Sequence, residues 1–297
     1  MTAAGQAVPT IKRRRPKITP FSALATGLTV LLALTFTFPL YWAVTGALKR
    51  PNELQVIPPL WYPPVPQWQN FVEVGQVIPF YLFVKNTAII TILGMIGGVI
   101  SASLVGYGFS SFRFRGRNVL FAILLGTMML PGEVTLIPTF MLFNYLKWVN
   151  SFRPLVIPNY FGGGAFSIFL FRQFFASIPK DLNDAAKMDG CGPFRYYLRI
   201  LMPLSTPVII TLCILWFQYL WNDFMGPLIY LVKIEKMTVS VGLLMLRTSF
   251  GDAARRGKPT EHLLMAGSVI AMIPSLIVFF TLQRYFIKGV IMTGIKG

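Results

Sequence analysis

The side chains best suited to binding chemistry lie together in one apolar stretch, WFQYLWND. It carries aromatic rings, an amide and a carboxylate, on Trp216, Tyr219, Trp221, Asn222 and Asp223. Aromatic faces stack on flat apolar surfaces, whereas the amide and the carboxylate hydrogen-bond to polar groups at the rim of a ligand. The combination favours noncovalent binding of a polar solute over a covalent reaction.

A second carboxylate, Glu133, lies beside Pro131 and Gly132 in another apolar run. A charge at the centre of a bilayer costs about 2.5 to 3.5 kcal/mol, so Glu133 and Asp223 should face a cavity or a protein partner rather than lipid. Both could instead hydrogen-bond neighbouring helices during assembly, and both tryptophans could serve packing or interfacial anchoring. The sequence leaves these alternatives open.

The chain offers little for catalysis or metal binding. His262 is its one histidine, and Cys191 and Cys213 fall in different segments, so a zinc site would need carboxylates brought in by the fold. It has neither a Ser/His/Asp set nor the GxxxxGK[ST] loop that cradles phosphates. We therefore predict no catalytic residue, no metal and no cofactor bound by this chain.

Composition places the chain in a membrane. Of its 297 residues, 55% are hydrophobic and 12% charged, and the net charge of +17 is divided among short flanks, which argues against nucleic-acid binding. A helix needs roughly 20 apolar residues to cross a bilayer. We predict an all-α integral membrane protein in contact with lipid, with six transmembrane helices at 21–47, 84–110, 118–138, 154–176, 207–231 and 263–287.

The connections between these spans differ in charge. Lys and Arg are most numerous in the basic tail 1–20 and in the other flanks on its side, which predicts cytoplasmic N- and C-termini. The segment 177–206 and the tail 288–297 then lie in the cytoplasm, and the loops 48–83 and 232–262 lie outside. Loop 48–83 is rich in Pro and Trp, which is typical of a rigid segment at the membrane interface or of a docking surface.

Three spans carry marks of close packing or of interruption. Small residues recur every fourth position in the second span, at Gly94, Gly98, Ala102 and Gly106, which allows another helix to approach. Pro131 and its neighbours break the third span, and Pro158 with three glycines at 162–164 breaks the fourth. The backbone groups freed at these breaks must be satisfied by protein or by a watery cavity.

The segment DAAKMDGCGPFRYYLRILMP is predicted to form a helix, a tight turn and an amphipathic helix. Asp181 can cap the first helix, Gly190 can end it in a left-handed conformation, and Pro193 suits the first turn of the second. In the second helix, Phe194 and Leu198 are expected to share one face with Tyr197 and Leu201. Such a unit could lie on the bilayer, but the aspartates of its first helix favour projection away from an anionic leaflet.

This segment resembles the EAA motif of permease subunits of bacterial ABC importers. The resemblance extends over nearly the whole chain, through NTAIITILG, GYGFSSFRFRGRNVLF, MMLPGEVTLIP, FGGGAFSIFLFRQFFASIP, WNDFMGPLIYL and KGVIMTGIKG. It is closest to the second permeases of maltose-type and glycerol-3-phosphate-type importers. Two departures are Asp184, where the motif has Glu, and Met202, where Leu usually precedes the proline. The motif residues are Asp184, Ala185, Ala186, Asp189, Gly190 and Pro203.

The resemblance implies a type I importer permease, with a core domain at 84–287, in the bacterial inner membrane. The EAA segment would be a coupling helix that docks on a dimer of cytoplasmic ATP-binding subunits, which use ATP and Mg. The chain would pair with a second homologous permease, receive a sugar or sugar derivative from an external solute-binding protein, and line its path with the fifth-span residues and Glu133. Asp184, Ala185 and Ala186 would lie at the docking surface.

Two other classes fit the residues less well. An ion-coupled secondary transporter would use Asp223 or Glu133 as its ion site, but no internal repeat relates residues 21–138 to 154–287. It would also leave the helix-turn-helix segment without a role. A membrane-embedded enzyme would need a catalytic set, which the spans lack.

Overall fold

The computed structural model describes residues 20–255 and 260–294, with side chains described at 20–248 and 260–283. The predicted basic tail, apart from Pro20, therefore lies outside the described residues. All regular structure in the described part is helical. The helices are α1 (Pro20–Ala47), α2 (Gln69–Val77), α3 (Phe80–Ser111), α4 (Arg117–Thr127), α5 (Gly132–Tyr145), α6 (Arg153–Val156), α7 (Ala165–Ser177), α8 (Lys180–Met188), α9 (Pro193–Tyr196), α10 (Met202–Leu204), α11 (Thr206–Trp221), α12 (Met225–Tyr230), α13 (Val239–Arg255) and α14 (Glu261–Gly294).

Four stretches of the described chain are long and apolar enough to cross a bilayer. They are α1, α3, the region Arg153–Ser177 and the part of α14 up to Gln283. Two bent pairs of helices also pass this test when each pair is taken together: α4 with α5, at 98°, and Pro193–Leu204 with α11, at 75°. In the second pair, α11 is the part that falls in the predicted fifth span. With each bent pair counted as one span, the described residues give the six spans that the sequence predicts.

The predicted breaks are present, and the fifth span has one more. Pro131 immediately precedes α5, and the fourth span turns through three glycines, Gly162 to Gly164, all with positive φ, before α7 begins. The fifth span, which the sequence analysis places at 207–231, has a break as well, because α11 ends at Trp221 and α12 begins at Met225. The Asn222 amide donates to the backbone oxygen of Gln218 at 2.8 Å, a local hydrogen bond of the kind that competes with helix propagation.

Helix α3 is the central element, and α7 and α11 pack along its row of small residues. A Cβ at Gly98 would lie 2.6 Å from the Trp216 ring, and one at Gly106 would lie 2.7 Å from Phe171. These glycines let bulky side chains of α11 and α7 come against the α3 backbone. The small-residue row is therefore a packing seam, as predicted.

The loops predicted at 48–83 and 232–262 are more ordered than plain connections. The first contains α2 and folds back on the end of α1, where Asn70 donates to the backbone oxygens of Ala47 and Lys49 at 2.8 and 2.9 Å. Lys49 is 1% exposed, lies 4.3 Å above the Trp42 ring and donates to the Leu60 oxygen. Burial lowers the pKa of Lys49, against the opposing effect of Glu53. The second contains α13, which packs on α14, and its residues 256–259 lie outside the described part.

The glycine turn before α7 provides a matched stability test. A Cβ at Gly163 would overlap the backbone oxygen of Gly98, whereas one at Gly164 would meet nothing within 4 Å, although both residues have positive φ. Gly164 has φ +80 and ψ 142, a conformation found almost only in glycine, so Gly164→Ala should cost about 1 to 3 kcal/mol of backbone strain. Gly163→Ala adds the collision and should lower the melting temperature of the detergent-solubilised protein clearly further. Equal shifts in the two variants would contradict this packing.

Candidate coupling and translocation site

The first helix of the EAA segment ends in a Schellman motif at Gly190. Gly190 has φ +70, its N–H donates to the Lys187 oxygen at 3.0 Å, and the Cys191 N–H donates to the Ala186 oxygen at 2.8 Å. These are the two hydrogen bonds that define the motif, and the residue between them must adopt a left-handed conformation. The prediction that Gly190 stops this helix is confirmed.

The helix-turn-helix unit, residues 180–204, is joined to α3 by two hydrogen bonds. The Tyr107 hydroxyl donates to the Pro193 oxygen at 3.0 Å, and the hydroxyls of Ser103 and Tyr197 are 2.6 Å apart. The Tyr107 and Tyr197 rings also lie 5.3 Å apart. The unit is thus fixed to the central span and does not lie loosely beside it.

Apolar burial strengthens this attachment and corrects the predicted position of Ala186. Ala186 is 6% exposed, within a core cluster that includes Phe171 and Phe175 of α7 and Leu201. It therefore lies inside the chain and not on the docking surface where the sequence analysis places it. The reason is the amphipathic periodicity of α8, whose sole buried residue is this alanine.

The opposite face of α8 is exposed. It carries Asp184, Ala185 and Asp189, and Met188, which sequence reasoning missed, is 88% exposed. Lys187 pairs with Asp184 at 3.3 Å, but both side chains are mostly exposed, so the pair adds little stability. Methionine is flexible and apolar, so an exposed methionine beside an alanine can adapt its shape to the surface of a binding partner.

The predicted Asp181 cap is wrong, because the N-cap position of α8 is Pro179 and no side chain caps this end of the helix.

The second helix departs from the predicted single amphipathic face. After α9 the chain forms a π-helical turn at Tyr197–Leu201, so Tyr197 and Leu201 are buried while Phe194 and Leu198 are 66% and 50% exposed. The wider turn changes the angular position of each residue along the helix, which the 3.6-residue pattern did not anticipate. Pro203, which lacks a backbone N–H, lies two residues after this turn, and the chain bends at Ser205 into α11.

Both tryptophans of the fifth span are engaged by the chain's own helices. The Trp216 indole donates to Ser167 of α7 at 3.1 Å, and the Trp221 indole donates to the backbone oxygen of Ala271 in α14 at 3.0 Å. Trp221 is 6% exposed and stacks on Phe217, with ring centroids 5.4 Å apart. These contacts place both indoles in interhelical packing.

A polar group lies on the exposed side of α11, close to its end. Tyr219 is 69% exposed, and the amide of Asn222, also exposed, donates to the Gln218 side-chain oxygen at 3.1 Å. Sequence reasoning missed Gln218, although its i,i+4 spacing from Asn222 was a readable signal. Asp223 lies in the break after α11 and accepts a hydrogen bond from the Gly226 N–H at 3.1 Å.

Glu133 is placed apart from this group. Its side chain is exposed in the first turn of α5, at the 98° bend between α4 and α5. The far end of α5 is the packed end, where Phe143 lies against Tyr230 with ring centroids 5.5 Å apart. The structure therefore brings Tyr219, Asn222 and Asp223 together and leaves Glu133 at a separate break.

Comparison with known proteins agrees with this architecture. Residues 94–292 match the family described as binding-protein-dependent transport system inner membrane component. The chain is 32% identical over 292 residues to the arabinooligosaccharides transport system permease protein AraQ of Bacillus subtilis, covering 96% of this chain and 99% of that protein. It is 30% identical to the sn-glycerol-3-phosphate transport system permease protein UgpE of Yersinia pestis, covering 88% and 93%.

A solved structure has the same fold. A chain of a bacterial ABC transporter involved in the import of the acidic polysaccharide alginate superposes with a TM-score of 0.80 at 23% identity, covering 92% of this chain and all of that one. The described helices and the sequence matches define a multi-pass permease of the inner membrane. The chain belongs to the family of binding-protein-dependent transport system inner membrane components.

Gly190 offers a test of the turn. Gly190→Pro removes the N–H that bonds to Lys187 and forbids the left-handed φ, whereas Gly190→Asn keeps the N–H and tolerates that conformation. We expect Gly190→Pro to abolish substrate uptake while the protein still inserts in the membrane, and Gly190→Asn to keep most of it. Uptake by cells, normalised to membrane-inserted protein, measures this. Normal uptake by the proline variant would contradict the assigned role of the turn.

Proposed function

We propose that this chain is one of two permeases of an ABC importer for a sugar or sugar derivative, driven by a separate ATPase dimer. The observation that carries the proposal is the helix-turn-helix unit, which is fixed on one side to α3 and exposes a helix face on the other. Because the unit is attached to α3 on one side and can bind a partner on the other, it can transmit a movement of that partner to the membrane spans. The names of the two relatives refer to arabinooligosaccharides and to sn-glycerol-3-phosphate, which supports a sugar or sugar derivative as the substrate.

ATP hydrolysis belongs to the partner in this proposal. The chain has no GxxxxGK[ST] loop, so ATP and Mg are bound by the cytoplasmic subunits on which α8 docks. The docking face comprises Asp184, Ala185, Met188 and Asp189, with Phe194 as an exposed apolar neighbour. Closure of the ATPase dimer would push α8, and the bonds to α3 would carry that displacement into the central span.

The same proposal fixes the orientation. The helix-turn-helix unit and both termini lie in the cytoplasm, on the side favoured by the distribution of Lys and Arg. The ends of α1 and α2 then lie outside, where the solute-binding protein delivers the substrate. This orientation places the exposed side of α8 in reach of a soluble ATPase.

The substrate path is assigned to the polar group at the end of α11, in which Tyr219 and Asn222 are exposed and Gln218 is half-buried. Gln218, Tyr219 and Asn222 cannot face hydrocarbon without losing hydrogen bonds, so they face a cavity shared with the second permease. Tyr219 supplies an aromatic surface and a hydroxyl, and the two amides supply donors and acceptors for sugar hydroxyl groups. Trp216 and Trp221 hold the path in place through α7 and α14.

Substitutions at two adjacent alanines of α8 distinguish an effect on ATPase docking from an effect on permease folding. Ala185→Lys adds a charge to the exposed face and should remove the ATPase from the purified complex while the second permease stays bound. Ala186→Lys buries an unpaired charge and should reduce the yield of the folded permease itself. Co-purification from detergent measures both. If the ATPase remains bound to the Ala185→Lys protein, or if the wild-type chain purifies alone and moves solute under an ion gradient, the proposal fails.

The path residues give a second test of the proposal. Tyr219→Ala removes an exposed ring and hydroxyl without opening the core, and should raise the half-saturating substrate concentration about tenfold, equivalent to roughly 1.4 kcal/mol. Trp221→Phe removes the donor to Ala271 and shrinks a buried ring, and should lower the yield of assembled protein without changing substrate affinity. Transport kinetics in liposomes distinguish the two. An unchanged half-saturating concentration for Tyr219→Ala would place the path elsewhere.

A further inference from the structure

A polar cleft of about 560 Å³ opens at the end of the molecule away from the helix-turn-helix unit. It lies beside the start of α3, whereas the unit is fixed near the other end of that helix. With 32 residues, α3 is about 48 Å long, enough to separate the two sites across a membrane. The cleft is lined by Arg50, Pro51, Asn52, Gln67, Gln69, Asn70, Glu73, Thr260, His262 and Leu263.

The walls of this cleft are held rigidly. Asn70 is 6% exposed, and its side-chain amide donates hydrogen bonds to the backbone oxygens of Ala47 and Lys49. The Lys49 ammonium donates to the backbone oxygen of Leu60 in the same loop. The segment that carries Arg50 and the helix that carries Gln69 are thereby fixed to each other. The cleft is a built feature of the outer end, and docking there requires little ordering of its walls.

Two groups in the cleft lack partners. His262 is 4% exposed and its Nδ1 has no hydrogen-bond partner among the described residues, nor has the buried Oγ1 of Thr260. Burying such a group without a partner costs about 1 to 3 kcal/mol, so native structures normally satisfy it with a ligand, a partner or water. Both residues line the cleft, so its inner wall is polar.

The side chains indicate what that ligand is. Amides at Asn52, Gln67 and Gln69 offer both donors and acceptors, and no Phe, Tyr or Trp lines the cleft as a platform for a sugar face. Among the described residues the exposed Arg50 guanidinium forms no ion pair, so it can take a carboxylate. Trp68, 68% exposed beside the rim, is of the type that dominates protein interfaces. A polar protein loop fits this lining better than a free sugar.

We propose that this cleft receives a hydrophilic loop of the external solute-binding protein, with a carboxylate of that loop paired to Arg50. The inference rests on the proposed function, which places the cleft outside, and it adds the surface by which the permease recognises its delivering partner. Donors and acceptors of the loop backbone meet the amides of the cleft. Trp68 packs against the side of the loop and shields these bonds from water.

Photo-crosslinking tests the contact directly. In the complete reconstituted transporter, p-benzoylphenylalanine replaces Gln69 in the cleft or, as a control, Gly75 on the same helix, where a Cβ would meet nothing within 4 Å. After addition of the substrate-loaded binding protein and illumination, we expect a binding-protein adduct at position 69 and at most a trace at 75. Equal adducts at both positions, a lipid adduct at 69, or no adduct at 69 would overturn the inference.

An affinity measurement keeps the inference independent of the photoprobe. Arg50→Ala should raise the binding-protein concentration needed for half-maximal ATPase stimulation about tenfold and leave the maximal rate unchanged, because saturation restores docking. Lys85→Ala removes an exposed charge that does not line the cleft and should leave that concentration unchanged. Equal effects of the two variants would overturn the docking site. If the binding protein does not stimulate the ATPase activity of the wild-type transporter, the result would instead contradict the proposed function.

Discussion

The account depends on the buried contact between the helix-turn-helix unit and α3. A helix as short as α8, with nine residues, is marginal in water, and its position is defined by what it packs against. Ala186 of α8 is buried in the core, and the hydrogen-bonded hydroxyls of Ser103 and Tyr197 fix the following helix to a span that reaches across the membrane. Without this contact the exposed face of α8 could bind a partner but could not move the spans.

The rest of the fold follows from the demands on α3. Because small residues line it, the bulky rings of Trp216 and Phe171 can lie against its backbone, and the broken fourth span can approach it through Gly163. Breaks are tolerated where protein satisfies the freed backbone groups, as in the hydrogen bond from Ser101 to the Asn159 oxygen beside the glycine turn. A rigid central helix flanked by broken spans is a suitable arrangement for transmitting displacement between two faces of a membrane.

Much of this arrangement could be predicted from local signals. Apolar run lengths gave the six spans, Pro131 and the three glycines gave two of the breaks, and Gly190 gave the end of α8. Each is a property of one segment, decided by backbone conformation or by transfer from water to lipid. The orientation of the termini remains a prediction from charge distribution.

What could not be predicted depends on tertiary contacts. The burial of Ala186, the π-helical turn that buries Tyr197 and exposes Leu198, and the use of both tryptophans in packing all require knowledge of neighbouring helices. The extra break after Trp221 was missed although Asn222, Asp223, Gly226 and Pro227 are residue types that interrupt helices. Gln218 was missed although its i,i+4 spacing from Asn222 was visible in the sequence, because the exposure of the neighbouring Tyr219 was not.

The most direct test of the central claim is the number of substrate molecules transported per ATP hydrolysed by the reconstituted importer. Replacing Tyr107 and Tyr197 together by Phe keeps their rings and removes the hydroxyls that join the unit to α3. The account predicts that the ATPase still binds and hydrolyses ATP while this ratio falls well below the wild-type value. A wild-type ratio in the double variant would contradict transmission through this contact.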